Sequence, residues 1–94
     1  MKKANPNSKA FQKILINFLH TVGDNLYALR INRKATLKTV SEVIKISPRK
    51  LSRIEKGLCP RCKFDTLLLL CRYYKVNLTD MSTKGKFKMG KNKT

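Results

Sequence analysis

The sequence predicts an all-α domain, on three observations. Apolar residues recur three and four positions apart through most of the chain, which is the spacing of one helix face. Ser, Thr and Asn stand in front of several of these segments, where their side chains cap helix starts. No segment alternates apolar and polar residues convincingly enough for a strand. We therefore expect a compact five-helix domain with an extra amphipathic helix at its N-terminus.

The extra helix is predicted to begin after Ser8, which can cap it. Its apolar residues recur at i, i+3, i+4, i+7, i+8 and i+11 and form the N-terminal stripe: Phe11, Ile14, Leu15, Phe18, Leu19 and Val22. Gly23 is expected to interrupt or bend this helix. The next helix then covers about 24–32, with Leu26, Leu29 and Tyr27 considered for its inner face.

Two short helices are predicted in the middle of the chain. The first begins after Thr36, and one face of it carries Leu37, Val40, Ser41 and Ile44. Residues 45–47 form the turn, and Ser47 caps the second helix, with Pro48 at its first position. Gly57 ends this helix by supplying a left-handed conformation.

The helix after Ser47 has two different faces. Leu51 and Ile54 point to one side. The opposite side is basic and polar and carries Arg49, Ser52, Arg53 and Lys56. Such a helix is suited to lie against a negatively charged partner.

The last helices and the two ends complete the domain. Phe64–Tyr74 is predicted as a buried helix, with Leu67, Leu68, Leu70 and Cys71 as inward candidates. A short helix follows Asn77, with Asp80 in a capping-box arrangement. Residues 1–7 are predicted as a flexible basic arm and 82–94 as a disordered lysine-rich tail, which leaves 8–81 as the folded domain.

Composition narrows the function. Lys and Arg number 22 against five acidic residues, for a net charge of +17, so a polyanion is the expected partner. Nucleic acid comes first and an anionic membrane surface second, and no apolar run reaches the length of a membrane span. Three cysteines, an odd number, and no visible signal peptide favour reduced thiols in the cytoplasm. With five acids and one histidine we expect no enzyme and no cofactor.

The segments VGDNLYALRINRKATLKTVSEVIKISPRKLSRIEKG and FDTLLLLCRYYKVNLTDM resemble the phage-repressor and Cro-type (XRE-like) helix-turn-helix family over about residues 22–81. The run Ser-x-x-x-Leu-Ser-x-Ile-Glu-x-Gly at 47–57 is the most specific part of the match. The resemblance implies a compact, lambda-repressor-like five-helix domain that binds double-stranded DNA, usually as a homodimer. It also implies that helix 48–56 lies in the major groove.

The resemblance also implies roles for individual residues. Base contacts fall on Arg49, Arg53 and Lys50. Contacts to the DNA backbone fall on Thr36, Lys38, Ser47, Ser52, Lys56, Arg61 and Lys63. A structural ion pair is implied between Arg30 and Glu55. Two positions depart from the family pattern: Leu37 replaces a polar residue that touches phosphate, and Lys45 replaces the glycine of the turn.

The function predicted from these features is that of a sequence-specific transcriptional regulator, most often a repressor, acting as a cytoplasmic homodimer on palindromic DNA. One alternative is an antitoxin-like or other protein-interaction module. Another is charge-driven, non-specific binding of nucleic acid, including RNA. The N-terminal stripe fits either a core-covering helix or a dimer interface.

The cysteines leave two further alternatives open. Cys59-Pro-Arg-Cys62 could supply two thiolates to zinc, and the only other cysteine and histidine are Cys71 and His20. Alternatively, Cys59 and Cys62 form a redox-responsive pair with the basic residues Arg61 and Lys63 as sequence neighbours. The simplest interpretation of Cys71 is that it is a small residue buried in the core.

Overall fold

The computed structural model describes residues 8–59 and 63–87. Five helices follow one another in this part of the chain: α1 (Lys9–Asn32), α2 (Leu37–Ile44), α3 (Pro48–Glu55), α4 (Phe64–Tyr74) and α5 (Leu78–Met81). No strand occurs among the described residues, so the all-α prediction is confirmed. Within these residues, no helix is both long enough and apolar enough to cross a bilayer.

The helix starts follow the predicted capping residues. The side chains of Ser8, Thr36 and Ser47 each accept a hydrogen bond from the backbone N–H three residues later, at 3.0–3.1 Å. Asn77 Oδ1 accepts one from Asp80 N–H at 2.7 Å. Each bond satisfies a backbone donor that the first turn of a helix leaves without an intrahelical partner.

Gly23 does not interrupt the first helix, and the predicted break there was wrong. It is buried in the middle of α1. A Cβ at this position would lie 2.6 Å from the backbone oxygens of both Ile54 and Glu55. The glycine therefore permits α1 to touch the end of α3, and this contact offsets a helix-propensity cost of about 1 kcal/mol. The predicted extra helix is consequently the first half of α1.

Gly57 lies at the same crossing. Its φ of 73° is left-handed, as predicted, and the backbone there closes the C-terminus of α3 with hydrogen bonds from Gly57 to Ile54 and from Leu58 to Arg53. A Cβ on Gly57 would lie 2.7 Å from Nδ1 and 3.0 Å from Cα of His20. Two glycines thus set how closely α1 and α3 approach.

The core lies among all five helices. Its most completely buried apolar side chains are Val22, Leu26, Val40, Leu51, Leu70 and Met81. Cys71 belongs to the same cluster, where desolvation raises the pKa of its thiol. Two inward candidates were wrong, because Leu68 is 43% exposed and Tyr27 is 39% exposed. Both lie at the edges of helix faces, where periodicity alone does not separate core from surface.

The residues directly after α5 are described as far as Phe87, and one of them contacts α1. Asn25, which is buried, donates from Nδ2 to the carbonyl oxygens of Met81 at 2.7 Å and Thr83 at 2.9 Å. Lys86 Nζ lies 3.7 Å from Asp80 Oδ1. Lysine-rich composition could not reveal this anchor on α1. The predicted arm at 1–7 and the remainder of the tail, 88–94, lie outside the described residues.

Candidate nucleic-acid interface

α2 and α3 pack as the two helices of a helix-turn-helix unit. Val40 and Leu51 are fully buried between them, and Ser41 is 1% exposed. The turn between them includes Lys45, whose φ is 67°, and the N–H groups of Lys45 and Ile46 both donate to Ser41 O. Lys45 therefore adopts the left-handed conformation that glycine usually supplies, at a cost of about 1 kcal/mol.

The outer face of α3 is basic, as the helical spacing predicted. Leu51, Ile54 and Glu55 are buried, whereas Arg49, Arg53 and Lys56 are exposed and Lys50 is half-buried. This face opens into a groove that reaches the start of α2. The groove, here called the Arg49–Arg53 groove, is lined by Leu37, Pro48, Arg49, Ser52, Arg53, Lys56 and Leu58.

The two arginines of this groove have different surroundings. Arg53 Nη2 donates to the carbonyl oxygen of Leu58 at 3.1 Å, which directs its guanidinium towards the loop after α3. Within residues 8–59 and 63–87, no hydrogen bond or ion pair engages the Arg49 side chain. Spacing predicted that both would be exposed. It gave no signal of the Leu58 contact, which depends on the loop conformation.

An ion pair fixes α3 to α1. Arg30 Nε lies 2.8 Å from Glu55 Oε2, and Arg30 Nη2 donates to Glu55 Oε1 at 3.0 Å. Arg30 Nη1 also donates to the carbonyl oxygen of Ala35 at 3.0 Å. The hydrogen bond to Glu55 raises the pKa of Arg30. The two residues that the resemblance pairs are thus in two-point contact, and the geometry orients the recognition-helix candidate on the scaffold.

A second cleft lies on the other side of α3, between this helix and α1. It is lined by Asp24, Tyr27, Arg30, Ser52, Glu55 and Lys56, and is here called the Tyr27 cleft. The Arg30 guanidinium lies over the Tyr27 ring, 5.5 Å from its centroid. Sequence reasoning missed this site. Tyr27 and Arg30 are three residues apart on one helix, which was the available signal.

Arg33 holds α1 against the end of α4. It donates to the carbonyl oxygens of Tyr73 at 3.3 Å and Tyr74 at 2.9 Å, and its guanidinium lies 5.2 Å from the Tyr74 ring centroid. The Tyr74 hydroxyl is buried with no hydrogen-bond partner among the described residues. Burial raises the pKa of Tyr74 well above its usual value, and the nearby Glu55 raises it further. Both residues serve the fold rather than the basic face.

The remaining backbone-contact candidates that the structure describes lie at or near the starts of α2, α3 and α4. Thr36 and Ser47 lie at the starts of α2 and α3, Lys38 is exposed in the first turn of α2, and Lys63 is exposed in front of α4. Arg61 lies outside the described residues. Leu37 packs partly against the core, and its apolar side chain cannot make the polar phosphate contact that the resemblance implies at this position.

The cysteine hypotheses receive no geometric support from the described residues. Cys59 is partly buried and packs against the core that contains Cys71, while His20 is exposed on α1. Residues 8–59 and 63–87 contain no group of three or more His, Cys, Asp or Glu side chains arranged to hold a metal ion. Cys62 lies outside this part of the chain, so the Cys59–Cys62 pair stays a hypothesis.

One comparison with known proteins agrees with this geometry. Neither the curated proteins nor the solved structures gave a significant match. A family model described as a helix-turn-helix domain matches residues 21–82, which include α2, the turn, α3 and the helices that support them. On this match and this architecture, the chain belongs to the helix-turn-helix family.

Proposed function

We propose that this protein is a sequence-specific, double-stranded DNA-binding transcriptional regulator of the phage-repressor and Cro type. One observation carries the proposal. α3 is fixed to the scaffold through Glu55 and turns Arg49 and Arg53 outward on the same exposed face. A rigid helix with outward arginines fits the major groove, whose width admits one α-helix.

Arg49 and Arg53 are the proposed base readers, with Lys50 beside them. An arginine fork pairs with guanine O6 and N7, and a good bidentate contact gives about 1–3 kcal/mol of discrimination against the wrong base. The Arg53 guanidinium is already held towards the loop by its bond to Leu58, so a base contact by Arg53 competes with that bond. Because the Arg49 side chain makes no such bond within the described residues, we assign the larger share of base recognition to Arg49.

Contacts to the phosphates are proposed for the residues to which the family resemblance assigns them: Thr36, Lys38, Ser47, Ser52, Lys56, Arg61 and Lys63. The start of α2 supports this assignment, because helix N-termini present backbone N–H groups and a partial positive charge to a phosphate. Leu37 occupies the first position of α2, so its backbone N–H can contribute where its side chain does not. These contacts position the domain and add affinity without specifying sequence.

The proposed active form is a cytoplasmic homodimer that represses by occupying a palindromic site. Two-fold symmetry then spaces the half-sites about one helical turn apart, roughly 34 Å. The lysine-rich C-terminus adds sequence-independent affinity through counterion release. Ile14 in α1 is 67% exposed and Phe18 is 36% exposed, which leaves part of the N-terminal stripe uncovered for association between copies.

A random-site selection on duplex DNA tests the proposal. The wild-type chain should enrich one palindromic motif, and Arg49→Ala should lose the preference at one position of each half-site. Arg72→Ala is the matched control, because Arg72 is exposed on α4, outside both clefts. If no motif were enriched at any salt concentration, charge-driven, non-specific binding of nucleic acid would be favoured instead.

The uncovered part of α1 favours one alternative, an antitoxin-like module that engages a partner protein. Ile14 and Ile16 are 67% and 51% exposed, respectively, more than most apolar side chains of the described chain. Purification from the native host distinguishes the two readings. A stoichiometric partner that is lost with Ile14→Lys, while DNA binding by the isolated chain is unchanged, would support the interaction module.

A further inference from the structure

We propose that the Tyr27 cleft binds a phosphodiester group of the DNA backbone beside the bases that α3 faces. The inference rests on the proposed function, and it extends the contact surface from the helix-turn-helix unit onto α1. Ser52 and Lys56 line both the Tyr27 cleft and the Arg49–Arg53 groove. The two depressions therefore lie side by side across these two residues, which places both within reach of one duplex.

The Tyr27 hydroxyl is a hydrogen-bond donor on a side chain whose conformation is restrained. The side chain is 39% exposed, and its hydroxyl makes no hydrogen bond within residues 8–59 and 63–87. The Arg30 guanidinium lies over the ring, 5.5 Å from its centroid, and Arg30 is itself held by Glu55 and Ala35. A tyrosine has few rotatable bonds, and this stack restrains them further. Little conformational entropy is then lost when the hydroxyl meets a ligand.

The charges in the cleft favour an anion at one end of it. Arg30 and Glu55 neutralise each other, because the Nε and Nη2 groups on one edge of the guanidinium both donate to the Glu55 carboxylate. Lys56 supplies an exposed ammonium group and Ser52 a second hydroxyl. One ammonium and two hydroxyls are the kinds of donor that phosphate oxygens accept at protein–DNA interfaces.

Asp24 limits where the phosphate can lie. It is exposed in the same cleft, one helical turn before Tyr27, and its carboxylate repels an anion. The phosphate is therefore placed at the end near Ser52 and Lys56, next to the outer face of α3. A cleft with one uncompensated ammonium holds free phosphate weakly. A backbone phosphate is favoured because the neighbouring contacts already hold the duplex.

The test compares Tyr27→Phe with the wild-type chain on the selected operator and on an unrelated duplex, over a range of salt concentrations. The variant keeps the ring and its stack with Arg30 and removes only the hydroxyl. We expect affinity to fall about tenfold on both duplexes, with base preference and melting temperature unchanged. Since the hydroxyl is uncharged, the slope of log K against log salt should stay the same, whereas Lys56→Gln should reduce it by about one.

Single methylphosphonate substitutions locate the phosphate. At one flanking position the neutral linkage should weaken DNA binding by the wild-type chain. The affinity of Tyr27→Phe, which already lacks the hydroxyl, should not fall further at that position. Asp24→Asn should raise affinity for both duplexes, and Tyr73→Phe, a tyrosine outside the cleft, should leave affinity unchanged. Both results would support a backbone contact made by this hydroxyl.

Equal affinities of Tyr27→Phe and the wild-type chain on both duplexes would overturn the inference and leave the proposed function standing. Inorganic phosphate provides a second check at constant ionic strength. If it displaced DNA from the wild-type chain at low millimolar concentration but not from Tyr27→Phe, the cleft would be a free-anion site and the inference would fail. A wild-type chain that binds no duplex at all would instead refute the proposed function.

Discussion

Gly23 of α1 lies directly against the last residue of α3: a Cβ at position 23 would be 2.6 Å from the backbone oxygen of Glu55 and 2.9 Å from its carbonyl carbon. Both clashing atoms belong to backbone, so no side-chain rotation can relieve them. The same glutamate is held by Arg30, seven residues later on α1. One close backbone approach and one ion pair, two turns apart, together determine how α3 is set on α1.

Gly23→Ala should destabilise the protein, although alanine is the better helix former. The propensity gain is about 1 kcal/mol. Separating α1 from α3 to accommodate the methyl group should cost about 1–3 kcal/mol, which is typical of overpacking, and we expect this cost to exceed the propensity gain. We expect a net loss of unfolding free energy and a weakened Arg30–Glu55 contact, measured by urea denaturation. Gly85→Ala is the control, because no atom lies within 4 Å of a Cβ there and only its left-handed φ is strained. An increase in stability for Gly23→Ala would contradict the close approach.

Arg30→Ala should lower the free energy of unfolding by about 2–4 kcal/mol, because it leaves the Glu55 carboxylate buried without its partner. The side chains of Arg30 and Glu55 are only 11% and 5% exposed. The exposed Arg72 provides the matched control, and Arg72→Ala should change stability by less than about 0.5 kcal/mol. A double-mutant cycle with Glu55→Ala should give a coupling energy above about 1 kcal/mol, and coupling near zero would contradict the anchor.

Arg33→Ala would be a poor control for Arg30→Ala, because Arg33 also makes contacts that hold the fold together. Arg33 donates to the two carbonyl oxygens of Tyr73 and Tyr74 and lies over both rings. Its truncation should also be costly, at about 1–2 kcal/mol. Lysine cannot restore the two-point contact, so Arg33→Lys should recover only part of this loss.

Helix positions, caps and the basic face of α3 could be predicted from local sequence, because each depends on residues within one or two turns. Thr36, Ser47 and Gly57 act where the spacing placed them. Gly23 was misread because its role depends on a helix about 30 residues later in the chain. Asn25 was unassigned for the same reason, because its partner Met81 is brought near only by the fold. Tyr27 was placed on the inner face, whereas its position in a cleft beside α3 also depends on how the two helices pack.

Tyr74→Phe should leave stability at neutral pH unchanged or raise it by up to about 1 kcal/mol, since the buried hydroxyl has no partner to lose. The substitution should also change how the stability of the protein depends on pH in the alkaline range. Burial raises the pKa of folded Tyr74, whereas an unfolded tyrosine loses its proton near pH 10. Ionisation of this group therefore does not lower the free energy of unfolding below about pH 10. Above that pH the free energy of unfolding declines, because the unfolded state then binds fewer protons than the folded state.

Thermal denaturation of Tyr74→Phe between pH 8 and pH 11 measures this decline. The variant should lose less stability over that range than the wild-type chain. Tyr27→Phe removes a hydroxyl from an exposed tyrosine instead and serves as the control for the substitution itself. Parallel profiles for all three proteins would show that the Tyr74 hydroxyl reaches solvent.

Lys45→Gly should stabilise the fold by about 1 kcal/mol, because glycine adopts the left-handed conformation at position 45 without the steric cost of a Cβ. Lys75, at the end of α4, has a φ of 59°, so Lys75→Gly provides a matched replacement of the same residue in the same conformation. Both variants should raise the urea midpoint similarly.

Their effects on DNA binding should separate the two lysines. Lys45 lies in the turn that joins α2 to the recognition-helix candidate, whereas Lys75 follows α4. If the Lys45 ammonium contributes to the basic surface, Lys45→Gly should reduce the slope of log K against log salt by up to one, and Lys75→Gly should leave that slope unchanged. A stabilised Lys45→Gly variant with unchanged salt dependence would show that the left-handed lysine destabilises the fold and does not contribute to DNA affinity.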